Sequence, residues 1–195
     1  MADLDQVLQM FSSITRISQI ETMNQTFSVR AVNLVEIATE VAELFDAAAE
    51  SKGDQIEVIR DRPVFINGDR DLLFDAISNL VDNAIKHGRE GGRATVRIDL
   101  SDNEVILAVA DDGPGIPADE FEHVFKRFYR LERSRTTPGN GLGLSLVAAV
   151  TRLHGGRIAL SDNMPGLKVE LIFPSIREAY QPTDAKPVVA SNQQK

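Results

Sequence analysis

Asn79 and Asn83 stand four residues apart in a segment, Asp69–His87, whose apolar Leu73, Ile77, Leu80 and Ala84 recur at helical steps. The same spacing gathers Asp75, Asn79, Asp82, Asn83 and Lys86 on the opposite side. Many helices carry such a polar stripe as solvated surface, but asparagine is a poor helix former and two at one register suggest another use. Their amide oxygens are hard, neutral ligands suited to Mg²⁺, and Lys86, one turn on, could meet a phosphate. Downstream, Asp111-Asp112-Gly113-Pro114-Gly115-Ile116-Pro117 closes an apolar run. It is either an ordinary Pro-Gly turn or a place where glycines let the backbone approach something flat beside an acceptor-only carboxylate, Asp111. Such a carboxylate accepts from the exocyclic amine of adenine and repels the carbonyl that guanine offers there. Gly139-Asn140-Gly141-Leu142-Gly143-Leu144 precedes another helical pattern and places exposed N–H groups at a helix N-terminus, a phosphate cradle. Its GxGxG spacing is neither a dinucleotide fingerprint nor a Walker A loop. Between Lys126 and Asn140, the cations Lys126, Arg127, Arg130, Arg133 and Arg135 face a single acid, Glu132, in a chain of net charge −8. That loop reads either as solvated surface or as a lid that closes cations over a triphosphate.

The chain that must position these groups has 195 residues, 43% hydrophobic and 26% charged, enough for one compact α/β domain and a smaller appendage. The absence of cysteine excludes a disulfide framework, a thiolate zinc site and a thiol nucleophile. No apolar run approaches the roughly 20 residues of a membrane helix and no signal-peptide pattern opens the sequence, which predicts a soluble, cytoplasmic chain. The acidic balance argues against nucleic acid as a partner. Residues 3–24 read as an amphipathic helix with a stripe of Leu4, Val7, Leu8, Phe11, Ile14, Ile17 and Ile20. The stripe is expected to pack against another subunit or a segment outside the chain, docking on the main domain being the alternative. Thr26–Val32 alternates as a strand, and Asn33 with Glu36 has capping-box spacing. The helix it opens points Leu34, Ile37, Val41, Leu44, Phe45 and Ala48 at a core and stops near Gly53. Strands follow at Gln55–Arg60 and Val64–Asn67, then the Asp69–His87 helix, a Gly88–Gly92 loop and a hairpin of Ala94–Leu100 with Glu104–Ala110 around Ser101-Asp102-Asn103. A short helical piece, a helix from about Gly141 to His154 and a hairpin of Arg157–Ser161 with Leu167–Phe173 complete the pattern. From about Gln181 the composition loses periodicity and reads as a disordered tail. Three helices interleaved with paired strands predict a two-layer α/β sandwich preceded by one long helix.

Taken together and in this order, the motifs resemble those of the sensor histidine kinases. Asn79–His87 (NLVDNAIKH) is similar to their N box, Asp111–Pro117 to the G1 box, Phe121–Arg130 (FEHVFKRFYR) to the F box and Gly139–Val147 (GNGLGLSLV) to the G2 box. The resemblance covers about residues 27–175 and implies the Bergerat fold, a mixed sheet backed by three helices with a lid between F and G2 boxes. It assigns Asn83 to Mg²⁺, Asp111 to the adenine amino group, Lys86 and Arg130 to phosphates, and His87 to the base or ribose side. Arg127 is a second phosphate candidate. Gly113, Gly115, Gly139, Gly141 and Gly143 would allow close backbone approach to the nucleotide, with Leu142 and Leu144 in the same loop. Asn79 stands where hydrolytic relatives resembling gyrase and mismatch-repair ATPases carry a glutamate base, and an amide cannot activate water. The resemblance therefore implies ATP and Mg²⁺ as ligands and transfer of the γ-phosphoryl group to a protein histidine rather than to water. It divides the chain into a second dimerisation-hairpin helix (1–25), a catalytic ATP-binding domain (26–178) and a tail (179–195). None of the three histidines suits the acceptor role: His87 and His154 close helices and precede glycine, and His123 leads into the F box. The acceptor would sit on a hairpin helix absent from this chain, in a homodimeric kinase whose full length can carry an inner-membrane anchor and which relays to the aspartate of a response regulator. An anti-sigma-type serine kinase on the same fold and a non-catalytic nucleotide-binding scaffold are the alternatives.

Overall fold

The computed structural model describes residues 2–22, 28–60, 62–101, 103–132 and 139–176. In chain order the elements are α1 (Ala2–Thr22), β1 (Arg30–Asn33), α2 (Leu34–Glu50), β2 (Gln55–Ile59), β3 (Phe65–Gly68), α3 (Arg70–His87), β4 (Arg93–Leu100), β5 (Glu104–Ala110), α4 (Gly143–Leu153), β6 (Arg157–Asp162) and β7 (Leu167–Pro174), with a 3₁₀ turn at Ala118–Glu120. Strands β2-β4-β5-β7-β6 form one sheet in that order, and β1 pairs with β3 beside it. β2 runs parallel to β4 and the remaining pairs are antiparallel, so the sheet is mixed.

Strict alternation sends one residue in two toward the helices. The register lines up Val58, Val96, Val109, Val169 and Leu160 in one row across all five strands, with Ile98, Leu107, Leu171 and Ile158 in the next. α2, α3 and α4 cover this face, and the residues of α3 expected to be apolar and inward, Leu73, Ile77, Leu80 and Ala84, are all buried. Each of the leucine and isoleucine side chains contributes about 1.5–3 kcal/mol on burial. The result is the two-layer α/β sandwich that the sequence implies.

Several expectations shift. In α2, Leu44 is 61% exposed and Ala48 is also exposed, while Ala38 and Ala49 are buried, because the 3.6-residue period carries the inward stripe off those two positions by the third turn. Asn33 caps α2, but its side chain accepts from Val35 N–H (3.2 Å) and Val64 N–H (3.3 Å) instead of the Glu36 amide of a capping box. The strand expected over Thr26–Val32 occupies Arg30–Asn33, where β3 offers four partners, and Thr26 and Phe27 lie outside the described residues. The basic residues Arg133 and Arg135, Asp102 of the β4–β5 turn and the tail from Gln181 lie outside them too.

The stripe of α1 has a partner within the chain along its second half. Ile17 and Ile20 are buried against α4, and Met10 is partly covered, whereas Phe11 is 70% exposed and Val7 and Ile14 are exposed beside it. α4 explains this. Ser145 through Thr151 are buried without interruption, so the helix is enclosed on all sides and α1 supplies the outer cover. The buried hydroxyls bond back into their own helix, Ser145 Oγ to Leu142 O and Thr151 Oγ1 to Val147 O.

His154, just past the end of α4, ties that helix to the start of α3. Its Nε2 accepts from Asp69 N–H (2.9 Å), so Nδ1, 2.7 Å from Val150 O, carries the proton. The ring is thus a neutral bridge, not the protonated helix-end residue that its position alone favours. Burial holds its pKa below the ordinary value, outweighing its bond to Val150 O and the Asp69 charge. Gly68 fits against it, since a Cβ there would sit 2.5 Å from His154 Cδ2. A depressed histidine pKa means that the unfolded chain binds the proton more tightly. Stability is therefore full above pH about 6.5 and falls as acid protonates the unfolded form, by at most about 1.4 kcal/mol per pH unit for one group. Thermal melts between pH 8 and pH 5 are expected to show this loss, and His154→Gln to flatten it.

Candidate functional site

A cleft of about 1210 Å³ opens between the polar side of α3, the turn after β5, the segment leading into the basic loop and the first turn of α4. That exceeds the roughly 300–1,000 Å³ of most small-molecule sites. Asn79, Asn83, Lys86, His87, Asp111, Gly115, Arg130, Gly139, Gly141, Gly143 and Leu144 all line it.

On α3, the Asn79 amide is oriented by its own helix, with Nδ2 donating to Asp75 O at 2.8 Å. Its Oδ1 faces the start of α4, where a Cβ on Gly143 would come within 2.9 Å. Asn83 lies one turn on, its Nδ2 3.7 Å from the same point. Lys86 pairs with Asp82 at 2.6 Å, both half-exposed. A surface pair of this kind contributes at most about 1 kcal/mol, so it holds Lys86 only weakly. Burial lowers the pKa of His87, and the neighbouring Lys86 charge adds to the effect, so its ring is neutral at pH 7.

Asp111 follows the last residue of β5 and is 8% exposed. Both backbone N–H groups that reach its carboxylate, Gly113 (2.9 Å) and Leu167 (3.2 Å), donate to Oδ1. Burial pushes its pKa above the ordinary value, and the two N–H donors oppose that. The glycines beside it sit close against neighbouring backbone. A Cβ on Gly113 would lie 2.3 Å from His87 O, and Gly113 does not line the cleft. Gly115, with φ +63°, faces Gly166 O at 2.7 Å from the Cβ position.

The two ends of the basic loop are joined by one backbone and one side-chain bond, Phe128 N–H donating to Gly141 O (2.9 Å) and Arg130 Nη1 to Gly139 O (2.8 Å), while Leu142 N–H donates locally to Asn140 Oδ1 (3.1 Å). Gly141 needs its missing Cβ, with φ +68° and the Phe128 carbonyl carbon 2.8 Å away. Leu142 is fully buried in the core and outside the lining. Arg127 is not brought to the cleft either, because its guanidinium pairs with Glu21 of α1.

The sequence reading missed two contributors. The turn Asn163-Met164-Pro165-Gly166 braces Asp111 from the β6–β7 side, a role that its turn-forming residues do not reveal. Ser12 and Ser13 of α1 also reach the cleft wall, which follows only from the docking of α1.

With this geometry in place, known proteins give a direct comparison. Residues 68–177 match the family described as histidine kinase-, DNA gyrase B- and HSP90-like ATPases. The chain belongs to this family. Its relatives include the sensor histidine kinase WalK of Bacillus subtilis, 28% identical over 175 residues covering 88% of this chain and 28% of WalK. The signal transduction histidine-protein kinase/phosphatase MprB of Mycolicibacterium smegmatis is 41% identical over 116 residues, 56% of this chain and 24% of that protein. Among solved structures, a mycobacterial sensor histidine kinase MprB superposes with a TM-score of 0.68 at 31% identity, covering 76% of this chain and 98% of that one. The catalytic domain of the histidine kinase ThkA superposes equally well at 26% identity, covering 76% and 99%. This chain is thus a catalytic ATP-binding domain of histidine-kinase type, with the Bergerat arrangement implied by its four boxes, and kinases of this family bind ATP, generally with Mg²⁺. It spans about a quarter of the length of WalK and MprB. No helix among the described residues is long and apolar enough to cross a membrane.

Proposed function

We propose that the cleft holds Mg-ATP with its adenine on Asp111 and its phosphates between α3 and the start of α4, and that the γ-phosphoryl group passes to a histidine on a hairpin helix of the longer kinase. The observation that carries this reading is Asp111 itself, a nearly buried carboxylate that lines the cleft while two backbone N–H groups hold its Oδ1, with Lys86, Arg130 and the glycines before α4 elsewhere in the wall. An acceptor-only carboxylate there takes the adenine amino group and disfavours guanine. Asn83 fits Mg²⁺ as a neutral hard oxygen. Among the described residues no group of three or more His, Asp or Glu is placed to bind a metal alone, which suits an ion delivered by the triphosphate. When bound, Mg²⁺ offsets phosphate charge during transfer.

The residues of the chain then have distinct tasks. Lys86 and Arg130 meet the phosphates as cations, and the N–H groups around Gly141 and Gly143 accept an anion at the start of α4. Asn79 cannot take a proton from water, so hydrolysis is slow and a protein nucleophile is required. Among the histidines of this chain, His154 has both ring nitrogens engaged and is not free to supply it. Relay to a response regulator, dimerisation of the longer kinase and any membrane anchor belong to the same proposal.

Calorimetry is expected to show Mg²⁺-dependent binding of ATP without competition by GTP. Labelled ATP is expected to leave the chain alone unlabelled and to label a hairpin helix added in trans, with the label lost in acid and stable in base. No heat with ATP, equal competition by GTP, or acid-labile label on the chain alone would overturn the reading; acid-stable label would point to the serine kinase.

A further inference from the structure

We propose that Asn163 is a positioning residue for adenine recognition, acting through Asp111 from the β6–β7 turn. This rests on the reading that Asp111 takes the adenine amino group. β5 ends at Ala110, opposite Lys168 of β7, so Asp111 lies one step beyond the paired strand. Its N–H still reaches Leu167 O at 3.0 Å, but its carbonyl has no strand donor to meet. The Asn163 side chain supplies one, Nδ2 donating to Asp111 O at 2.8 Å. The same turn holds the carboxylate, with Leu167 N–H on Oδ1. Asn163 N–H closes the turn on Gly166 O at 3.0 Å. Gly166, with φ +115°, packs so tightly that a Cβ would fall 1.9 Å from Asp111 O.

The backbone of Asp111 is therefore held from the β6–β7 turn, where Asn163 contributes a side-chain donor to its carbonyl, and its carboxylate is shared between that side and Gly113 N–H. Removing the Asn163 donor leaves the Asp111 carbonyl without its side-chain partner at the strand end, so the peptide after Asp111 can tilt although its N–H stays on Leu167 O. Oδ2 then loses its aim at the base while the phosphate end of the cleft, on α3 and α4, is untouched. The effect should be confined to the contact that Asp111 makes.

The test is a comparison of two nucleotides on the 195-residue chain by calorimetry: Mg-ATP and the Mg²⁺ complex of purine riboside triphosphate, which lacks the 6-amino group. Asn163→Ala is expected to weaken ATP about tenfold, the scale of one lost or misaligned hydrogen bond, and to leave the purine riboside nucleotide within about twofold. Asn163→Asp, similar in size but with a charged acceptor facing the Asp111 carbonyl, is expected to weaken ATP at least as much and again to spare the purine riboside nucleotide. Equal weakening of both nucleotides would make Asn163 a general support of the fold and overturn the proposal, as would wild-type ATP affinity in both variants. Loss of a cooperative thermal transition in both variants would overturn it too. Failure of the underlying reading looks different: the wild-type chain would then bind the two nucleotides equally, before any substitution is made.

Discussion

Asp111→Asn is expected to abolish measurable selection of adenine while leaving the nucleotide-free domain at least as stable. The two backbone donors on Oδ1, from Gly113 and Leu167, are satisfied by an amide oxygen as well as by a carboxylate. The second oxygen is the one that changes. An amide placed with its oxygen toward those donors turns an NH₂ group toward the cleft, donor against the donor of adenine. A site built to hydrogen-bond one group rejects the mismatched one strongly, so ATP affinity should fall at least about a hundredfold. The balance also shifts toward bases that carry a carbonyl at that position. Stability moves the other way. Burial raises the Asp111 pKa above its unfolded value, so the folded state holds the proton more tightly and the charged form opposes folding at neutral pH. That penalty is relieved as pH falls toward the folded pKa, and a neutral Asn removes it throughout. Thermal melts without nucleotide, paired with calorimetry for ATP and GTP, separate the two effects. A variant that melts lower yet binds ATP within a few-fold of wild type would contradict both halves.

The helix carrying the asparagines was legible because one period governs both its faces. Burial of Leu73, Ile77, Leu80 and Ala84 leaves Asn79, Asn83 and Lys86 nowhere to point but the cleft. Glycine is less readable. Gly113 and Gly115 do lack a Cβ for reasons of space, but the space belongs to His87 O and Gly166 O. Sequence shows that a side chain is excluded and not which atoms exclude it. The arginines show a second limit. Arg127 and Arg130 are three apart, a helical spacing that would put them on one side. Phe128 between them has φ +63°, which breaks any helix there, so Arg127 turns to Glu21 and Arg130 to Gly139. A left-handed phenylalanine has no sequence signal, and neither does Asn163, whose partner lies 52 residues away. The stripe of α1 likewise reads as one face, yet among its described side chains Ile17 and Ile20 are buried while Val7, Phe11 and Ile14 stay exposed.

Asn83→Ala should uncouple nucleotide from metal. The side chain lies in the cleft one turn from Asn79, and alanine is a better helix former, so the thermal transition is expected to hold or rise slightly. In the wild-type chain Mg²⁺ should tighten ATP, because a neutral amide oxygen adds a contact to the ion that the phosphates bring. The alanine variant loses that contact, and its ATP affinity should become nearly the same in Mg²⁺ as in chelator. Phosphoryl transfer to a hairpin helix should fall about a hundredfold or more, since each 1.4 kcal/mol of lost charge stabilisation is tenfold in rate. Asn83→Asp provides the opposite sign. A carboxylate repels the bare triphosphate and attracts the ion, so the variant should bind ATP more weakly than wild type in chelator and recover more steeply as Mg²⁺ is added. The pair distinguishes a ligand from a spacer, because a residue that only fills volume would move both affinities together and leave the Mg²⁺ dependence at its wild-type value. Retention of that dependence in Asn83→Ala would remove the metal from this helix.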